Sequence, residues 1–275
     1  MFFKGFLIQI QVAAGHIAEE AKHQGGPELP NFITLLYHKY GKVAFVEFLH
    51  HWENIIFSLL IVIIISFIAY LASRKSTLIP GGLQNFVEMA LEGLDNFICG
   101  ILGPRGRRFT PFLGTLFIYI LCMNFFGLVP GMKSPSANLN TTVALAACVF
   151  FYVQYTGIKS FGFLGYLFHL AGEPRDVVGW VMVPLNLPIH IMEELIKPLS
   201  LSMRLFGNIF GEDILIAVFV GLGVASLGFL HLPVGLPFQV PFIFLALLTG
   251  TIQALVFTLL STIYFFLMLP HQEGD

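Results

Sequence analysis

Long stretches of this chain contain no charged side chain, and they limit the folds that the chain can adopt. Residues 55–72, 109–132, 134–158 and 214–270 contain no Asp, Glu, Lys or Arg. A helix of about 20 apolar residues crosses the ~30 Å hydrocarbon core of a bilayer. These segments are apolar on every face, whereas a membrane β-strand alternates apolar and polar residues over about ten positions. The sequence therefore predicts an all-α integral membrane protein.

The overall composition supports this class and excludes others. Charged residues make up 11% of the 275 residues, well below the roughly 25% that is usual in soluble domains. The net charge of −2 gives no basic surface for nucleic acid. The three cysteines fit neither a zinc site nor a disulfide framework, and His50 to Glu53 ("HHWE") reads as interface residues before a membrane helix rather than a metal site. We expect no nucleic-acid partner, no metal and no cofactor.

The hydropathy pattern predicts an N-terminal outer-side segment, 1–50, followed by a single membrane domain, 51–275. An amphipathic helix on the membrane surface is predicted at about 82–102, because its apolar residues recur at helical spacing on one face. About five crossing segments are predicted within the membrane domain, at 53–73, 109–130, 139–158, 185–230 and 240–269.

Basic residues near the ends of the segments predict the orientation of the chain. Arg74 and Lys75 follow the first crossing segment, and "GPRGRR" at 103–108 precedes the second. Lys and Arg are concentrated in cytoplasmic loops. The loop between these segments is therefore predicted to be cytoplasmic, which places the N-terminus outside and, after five crossings, the C-terminus inside.

The fourth crossing segment, 185–230, is too long for a simple span. At ~1.5 Å per residue an unbroken helix of this length would extend about 70 Å, more than twice the hydrocarbon core. Its first half also contains several charged side chains that would be costly against lipid. The segment must therefore tilt strongly, lie partly in the membrane plane, or fold back against other protein.

A polar stripe runs along this segment. At 100° per residue, Glu193, Lys197, Arg204 and Asn208 fall within about 40° of one line. Glu212 lies about 80° from Arg204 on the same projection, and Asp213 lies on the opposite side. The two carboxylates are therefore expected to face a different environment from the stripe.

Arg204 is the most costly member of the stripe. Arginine stays protonated in proteins, and a charge at the bilayer centre costs from about 3 to more than 10 kcal/mol. Four acidic residues of the chain are candidate counter-ions, namely Glu193, Glu194, Glu212 and Asp213, but none lies three or four positions from Arg204. A counter-ion on another helix or another chain is therefore favoured, with snorkelling to the interface as the alternative. Gln253, in the last segment, either holds this guanidinium or orders a water, or makes a purely structural hydrogen bond between helices.

Several motifs resemble one known family. "KPLSLSMRLFGN" at 197–208 and "TIQALVFTLLSTIY" at 251–264 closely resemble the signature of subunit a of F-type ATP synthases. "CMNFFGLVPG" at 122–131 and "PSANLNTTVALA" at 135–146 resemble the second span and outer loop of the same family. The resemblance extends over about 50–270.

The resemblance implies a stator subunit whose last two segments form a long tilted hairpin against a ring of c subunits. Each c subunit of that family carries one carboxylate at mid-membrane, and Arg204 would face it as an electrostatic gate between two offset half-channels for protons. Other ATP synthase subunits, including b-type peripheral stalk subunits, would be partners. The chain has no G-x-x-x-x-G-K-[ST] loop, so it would not be catalytic on its own.

The resemblance also assigns roles to individual residues. Gln253 would support or water-bridge Arg204, and Asn208 would border an aqueous path. Glu212 and Asp213 match the acidic position of the family, with Asp213 in register. Three asparagines match polar positions near the outer entrance, namely Asn124, Asn138 and Asn140. Some relatives carry Asp where this chain has Asn138, and His or another polar group where it has Ala246, so the outer path here would rest on Glu212, Asp213 and water.

Two other classes are weighed against the stator. A self-contained channel or secondary transporter would use the buried charges as a substrate site, although no internal repeat supports it. A haem or quinone subunit lacks the paired histidines that bis-His haem needs. The N-terminus outside and the high Phe content fit a bacterial inner membrane at least as well as an organelle membrane, and a bacterial inner membrane is the location we expect for the stator.

Overall fold

The protein is represented by a computed structural model that describes residues 31–40, 44–74, 81–172, 177–228 and 237–269. Much of the predicted N-terminal segment, residues 1–30 and 41–43, lies outside the described residues. The described part contains helices and no β-strand, which confirms the all-α class. Its α-helices are α1 (Phe32–Tyr40), α2 (Ala44–His51), α3 (Glu53–Ser73), α4 (Gly82–Leu102), α5 (Thr110–Phe126), α6 (Leu139–Leu170), α7 (Val177–Gly228) and α8 (Val240–Leu267).

Four of these helices are long and apolar enough to cross a membrane, namely α3, α6, α7 and α8. A shorter apolar helix, α5, has 17 residues. Helix α4 carries charged side chains along one side and apolar ones along the other, as an amphipathic surface helix does. The described helices therefore fit a multi-pass membrane protein.

Two helices extend beyond the segments that the sequence predicts. Helix α6 continues past 158 to Leu170 through a kink at Gly162, whose φ of 72° is open to glycine but strained for other residues. Helix α7 begins at Val177 and contains Pro184 and Pro188. Proline removes a backbone donor and usually ends a soluble helix, but membrane helices tolerate it because neighbouring groups satisfy the freed carbonyl.

The chain divides into two compact units. The first unit comprises Met1–Ser66, Tyr119–Asn138 and Phe206–Gln253. In it, the rings of Phe57 and Phe126 lie 6.1 Å apart. Glu53, at the start of α3, is 7% exposed and accepts a hydrogen bond of 2.9 Å from Lys133 Nζ. The acidic residue of "HHWE" is therefore engaged in an ion pair.

The second unit comprises Phe67–Ile118, Leu139–Leu205 and Ala254–Asp275. Its core is aromatic: the ring of Phe265 lies 4.7 Å from that of Phe109 and 5.1 Å from that of Tyr152. Several buried hydroxyls on α8 donate to carbonyl groups four residues earlier in the same helix, so burying them costs little. These are the hydroxyls of Thr258, Ser261 and Thr262.

Helices α7 and α8 contact each other within each unit. In the first unit, Phe219 stacks on Phe242 with centroids 3.9 Å apart, and Asn208 contacts Gln253. In the second unit, Lys197 Nζ lies 5.7 Å from the centroid of the Tyr264 ring. In the first unit the later residue of α7, Phe219, contacts the earlier residue of α8, and Asn208 contacts the later one, which is the order of an antiparallel pair. The first unit therefore contains an antiparallel pairing of α7 with α8, as the hairpin implied by the resemblance requires.

Candidate functional site

Arg204 lies outside the buried face of α7. Leu201 and Leu205 are 2% and 0% exposed, whereas Arg204 is exposed. Its guanidinium forms no salt bridge in the part of the chain that the structure describes. The cation therefore faces outward, with no counter-ion among those residues.

Gln253, the polar residue of α8 for which the sequence predicts a role, is 4% exposed. Its Oε1 accepts a hydrogen bond of 2.8 Å from Asn208 Nδ2 on α7. Its Nε2 is buried and has no acceptor among the described residues. A buried donor left unpaired costs about 1–3 kcal/mol, so this amide offers a hydrogen bond that nothing described uses.

A cavity of about 380 Å³ lies between α7 and α8 in the first unit. Glu212, Asn208, Thr249 and Gln253 supply its polar wall, and the Thr249 hydroxyl donates to Leu245 O of its own helix at 2.8 Å. A Cβ added to Gly211 would meet no atom within 4 Å, so the α7 side of the cavity is open. A cavity of this size and polarity accommodates water.

The other predicted residues are not brought to this cavity. Asp213 is half-buried and is absent from the cavity wall, as its place on the opposite side of α7 predicts. Asn138 closes a 3₁₀ turn, where its backbone N–H donates to Pro135 O at 3.2 Å. Asn140 is exposed in the first turn of α6.

Asn124 is a buried anchor between α5 and α8. Its Nδ2 donates to Gly250 O at 2.9 Å, and its Oδ1 accepts from Ser136 Oγ at 2.7 Å. A Cβ on Gly250 would lie 3.2 Å from Asn124 Cβ. Glycine at 250 thus permits the close approach that places Asn124 beside the turn of α8 that carries Gln253.

A second polar cluster lies in the second unit. Lys197 forms an ion pair with Glu194 on α7. Gln154 Nε2, on α6, donates to the other oxygen of the Glu194 carboxylate at 2.8 Å, and the Tyr166 hydroxyl donates to Gln154 Oε1. Glu193, predicted to support the stripe, is exposed instead.

Sequence reasoning named Glu194 only as a possible counter-ion of Arg204, not as a partner of Lys197, and it missed Gln154. The signal for Glu194 was available, because an acid and a base three positions apart on a helix are neighbours. Gln154 gave no such signal, since its partner is 40 residues away along the chain. No group of three or more His, Cys, Asp or Glu suited to a metal ion occurs among the described residues.

Comparisons with known proteins identify the family. The sequence profile described as ATP synthase A chain matches residues 55–266. The chain is 51% identical over 249 residues to ATP synthase subunit a of Protochlamydia amoebophila, covering 90% of this chain and 92% of that one. It is 41% identical over 212 residues to ATP synthase subunit a of Solidesulfovibrio magneticus, covering 77% and 82%. The chain therefore belongs to the ATP synthase A chain family, which forms the proton-translocating stator part of F-type ATP synthases and is not catalytic by itself.

Proposed function

We propose that this chain carries protons to and from the carboxylates of a c ring through two offset half-channels, with Arg204 as the electrostatic gate between them. Family membership supports a protein that works within the ATP synthase complex and does not favour a self-contained channel or secondary transporter. The residue roles and the direct partners are part of the proposal.

The observation that carries this proposal is the exposed Arg204. A cation facing hydrocarbon costs from about 3 to more than 10 kcal/mol, and none of the described residues supplies a counter-ion. A carboxylate on a neighbouring ring would offset that cost whenever it is deprotonated. The positive charge would also repel a proton that might leak directly from one path to the other.

The cavity of the first unit supports the outer path. Glu212 places a carboxyl group in a space that accommodates water, and Asn208 and Gln253 continue the polar wall along both helices. The unpartnered Gln253 Nε2 can donate to water or to a ring carboxylate. We assign proton uptake to Glu212, with Asp213 as the alternative acid, and keep Asn138 and Asn140, with Asn124, as candidates near the entrance.

The driving force follows from the membrane potential. Each proton that falls through 100 mV releases about 2.3 kcal/mol. Protonation of a ring carboxylate in one path and deprotonation in the other would convert this energy into rotation of the ring. The gate performs no bond chemistry, because the guanidinium of Arg204 keeps its proton throughout.

Partners and location complete the proposal. The exposed side of α7 at Arg204, together with α8, would contact the c ring, and b-type peripheral stalk subunits would hold the chain in place. We place the protein in a bacterial inner membrane, with the N-terminus outside and the C-terminus in the cytoplasm. The basic residues between the first two crossing segments support this orientation.

The gate is tested by Arg204→Ala in the complete complex, assayed as ATP-driven proton pumping in inverted vesicles. We expect pumping to be lost while the amount of chain in the membrane is unchanged, because the removed side chain lies outside the buried face of α7. Met203→Ala, an exposed neighbour at 52%, is the matched control and should pump normally. Coupled pumping that survives in Arg204→Ala would exclude the gate.

A further inference from the structure

The second unit holds a half-buried carboxylate, that of Glu194, which has no role in the proposed function. The side chains of Glu194 and Lys197 are 13% and 17% exposed and form an ion pair on α7. Burying one such charge is costly, but a paired and hydrogen-bonded charge is tolerated. The carboxylate has both kinds of partner, since Lys197 holds one oxygen and Gln154 donates to the other.

Gln154 is itself oriented by a second side chain. The Tyr166 hydroxyl donates to Gln154 Oε1, which leaves Gln154 Nε2 directed at Glu194. An amide group exchanges protons poorly, so Gln154 cannot serve as a relay, whereas a carboxylate can accept and release a proton. The hydrogen bonds therefore fix the position of the Glu194 carboxylate.

A narrow cavity adjoins this carboxylate. It has a volume of about 10 Å³, and its polar lining comes from Glu194, Lys197 and Tyr264, with apolar side chains for the rest. This volume suits a single water molecule, which needs two to four polar partners. A proton can pass between such a water and the Glu194 carboxylate.

We propose that Glu194 is the proton acceptor of the inner path, an assignment that rests on the proposed function. Its carboxylate takes a proton from water on the inner side and returns the same proton to water in the narrow cavity, so no net charge accumulates. Lys197 balances the carboxylate, and Gln154, held by Tyr166, is a positioning residue. The titratable groups that face Glu194 are Lys197 on its own helix, Tyr166 on α6 and Tyr264 on α8.

The test uses the complete complex in inverted vesicles, where the medium is the inner side. We expect Glu194→Gln to lower ATP-driven pumping at least about tenfold. In this variant the supply of protons from the medium limits the rate. Acidifying the medium from about pH 8 to about pH 6 raises that supply, so the rate relative to wild type should recover. Glu92→Gln, an exposed acid on α4, is the control and should keep the wild-type profile.

Charge-conserving variants guard against a simple loss of assembly. Tyr166→Phe and Gln154→Leu should lower the rate severalfold and show the same dependence on medium pH. Tyr155→Phe, which alters a 57% exposed tyrosine on the same helix, should not. A wild-type rate and pH profile in Glu194→Gln, or in both charge-conserving variants, would overturn the proposal.

A double variant separates a relay from a structural ion pair. Glu194→Gln with Lys197→Met removes both charges and leaves no uncompensated ion. Pumping should stay low in it if Glu194 carries protons, and restored pumping would show that the pair is only structural. Retained pumping in Arg204→Ala would overturn the proposed function, whereas retained pumping in Glu194→Gln beside an inactive Arg204→Ala overturns this assignment alone.

Discussion

Two glutamates on the same helix, α7, lie in opposite environments. Glu212, in the first unit, lines a cavity of about 380 Å³ and forms no salt bridge with any described residue. Glu194, in the second unit, is paired with Lys197 beside a space of about 10 Å³. A half-buried carboxylate can thus be stabilised by room for water or by a counter-ion, and α7 offers one example of each.

The two units also differ in whether their buried polar groups have hydrogen-bond partners. In the first unit, Gln253 Nε2 has no described acceptor. In the second unit, Thr258 donates within its own helix, and Gln154 has a partner on each side of its amide. Unused hydrogen-bonding capacity is therefore found in the unit with the large cavity, where an entering water or carboxylate would meet it.

The largest expected effect is on stability, from removing the acid of the ion pair. Glu194→Gln leaves Lys197 buried without a counter-ion, and breaking a buried pair in this way costs about 3–5 kcal/mol. Glu212→Gln should cost less than about 1 kcal/mol, because the group has no ion pair to lose and lines a cavity with room for water. The measurement is the temperature at which the chain dissociates and aggregates from the detergent-solubilised complex.

Equal losses in the two variants would break the comparison between the glutamates. Lys197→Met provides a further check, because the remaining Glu194 can take up a proton and become neutral. We expect it to cost less than Glu194→Gln, since lysine and glutamate differ in how readily each loses its charge near neutral pH.

The next effect is on transport through the outer path. Glu212→Gln removes a group that can exchange protons with the cavity, and general acid–base groups contribute on the order of 10² or more to rate. We expect ATP synthesis driven by a proton gradient to fall by about this factor and to depend more steeply on the pH of the outer side. If Asp213→Asn has this effect and Glu212→Gln does not, the acid of the outer path is Asp213.

The sequence reveals the local features of this chain but not its contacts between distant residues. The helices follow from the charge-free stretches, and the confirmed family from "KPLSLSMRLFGN", because both signals are local. The Asn124 anchor joins residues 126 positions apart, and no periodicity encodes such a contact. The continuation of α6 from 158 to Leu170, through the kink at Gly162, also has no signal in the charge-free pattern, because Lys159 follows directly after that stretch.

A smaller effect tests the anchor in the first unit. Gly250→Ala would place a Cβ 3.2 Å from Asn124 Cβ, and overpacking of this kind costs about 1–3 kcal/mol. The displaced turn should also lower proton-driven ATP synthesis through Gln253. Gly93→Ala, on α4 where a Cβ meets nothing within 4 Å, is the matched control for stability and should be neutral or stabilising. A normal rate and stability in Gly250→Ala would show that α8 can shift freely against α5.

The smallest effect compares one buried hydroxyl from each unit. Thr258 donates to Ala254 O at 2.9 Å, but that carbonyl also lies within the helical hydrogen-bond pattern, so Thr258→Val should cost less than about 1 kcal/mol. Ser136→Ala, in the first unit, deprives Asn124 Oδ1 of its 2.7 Å donor and should cost about 1–3 kcal/mol. Thermal stability of the solubilised complex decides between them. A larger loss of stability in Thr258→Val would mean that the buried hydroxyls of the second unit stabilise contacts between helices, beyond their hydrogen bonds within α8. The two units would then differ only in their cavities.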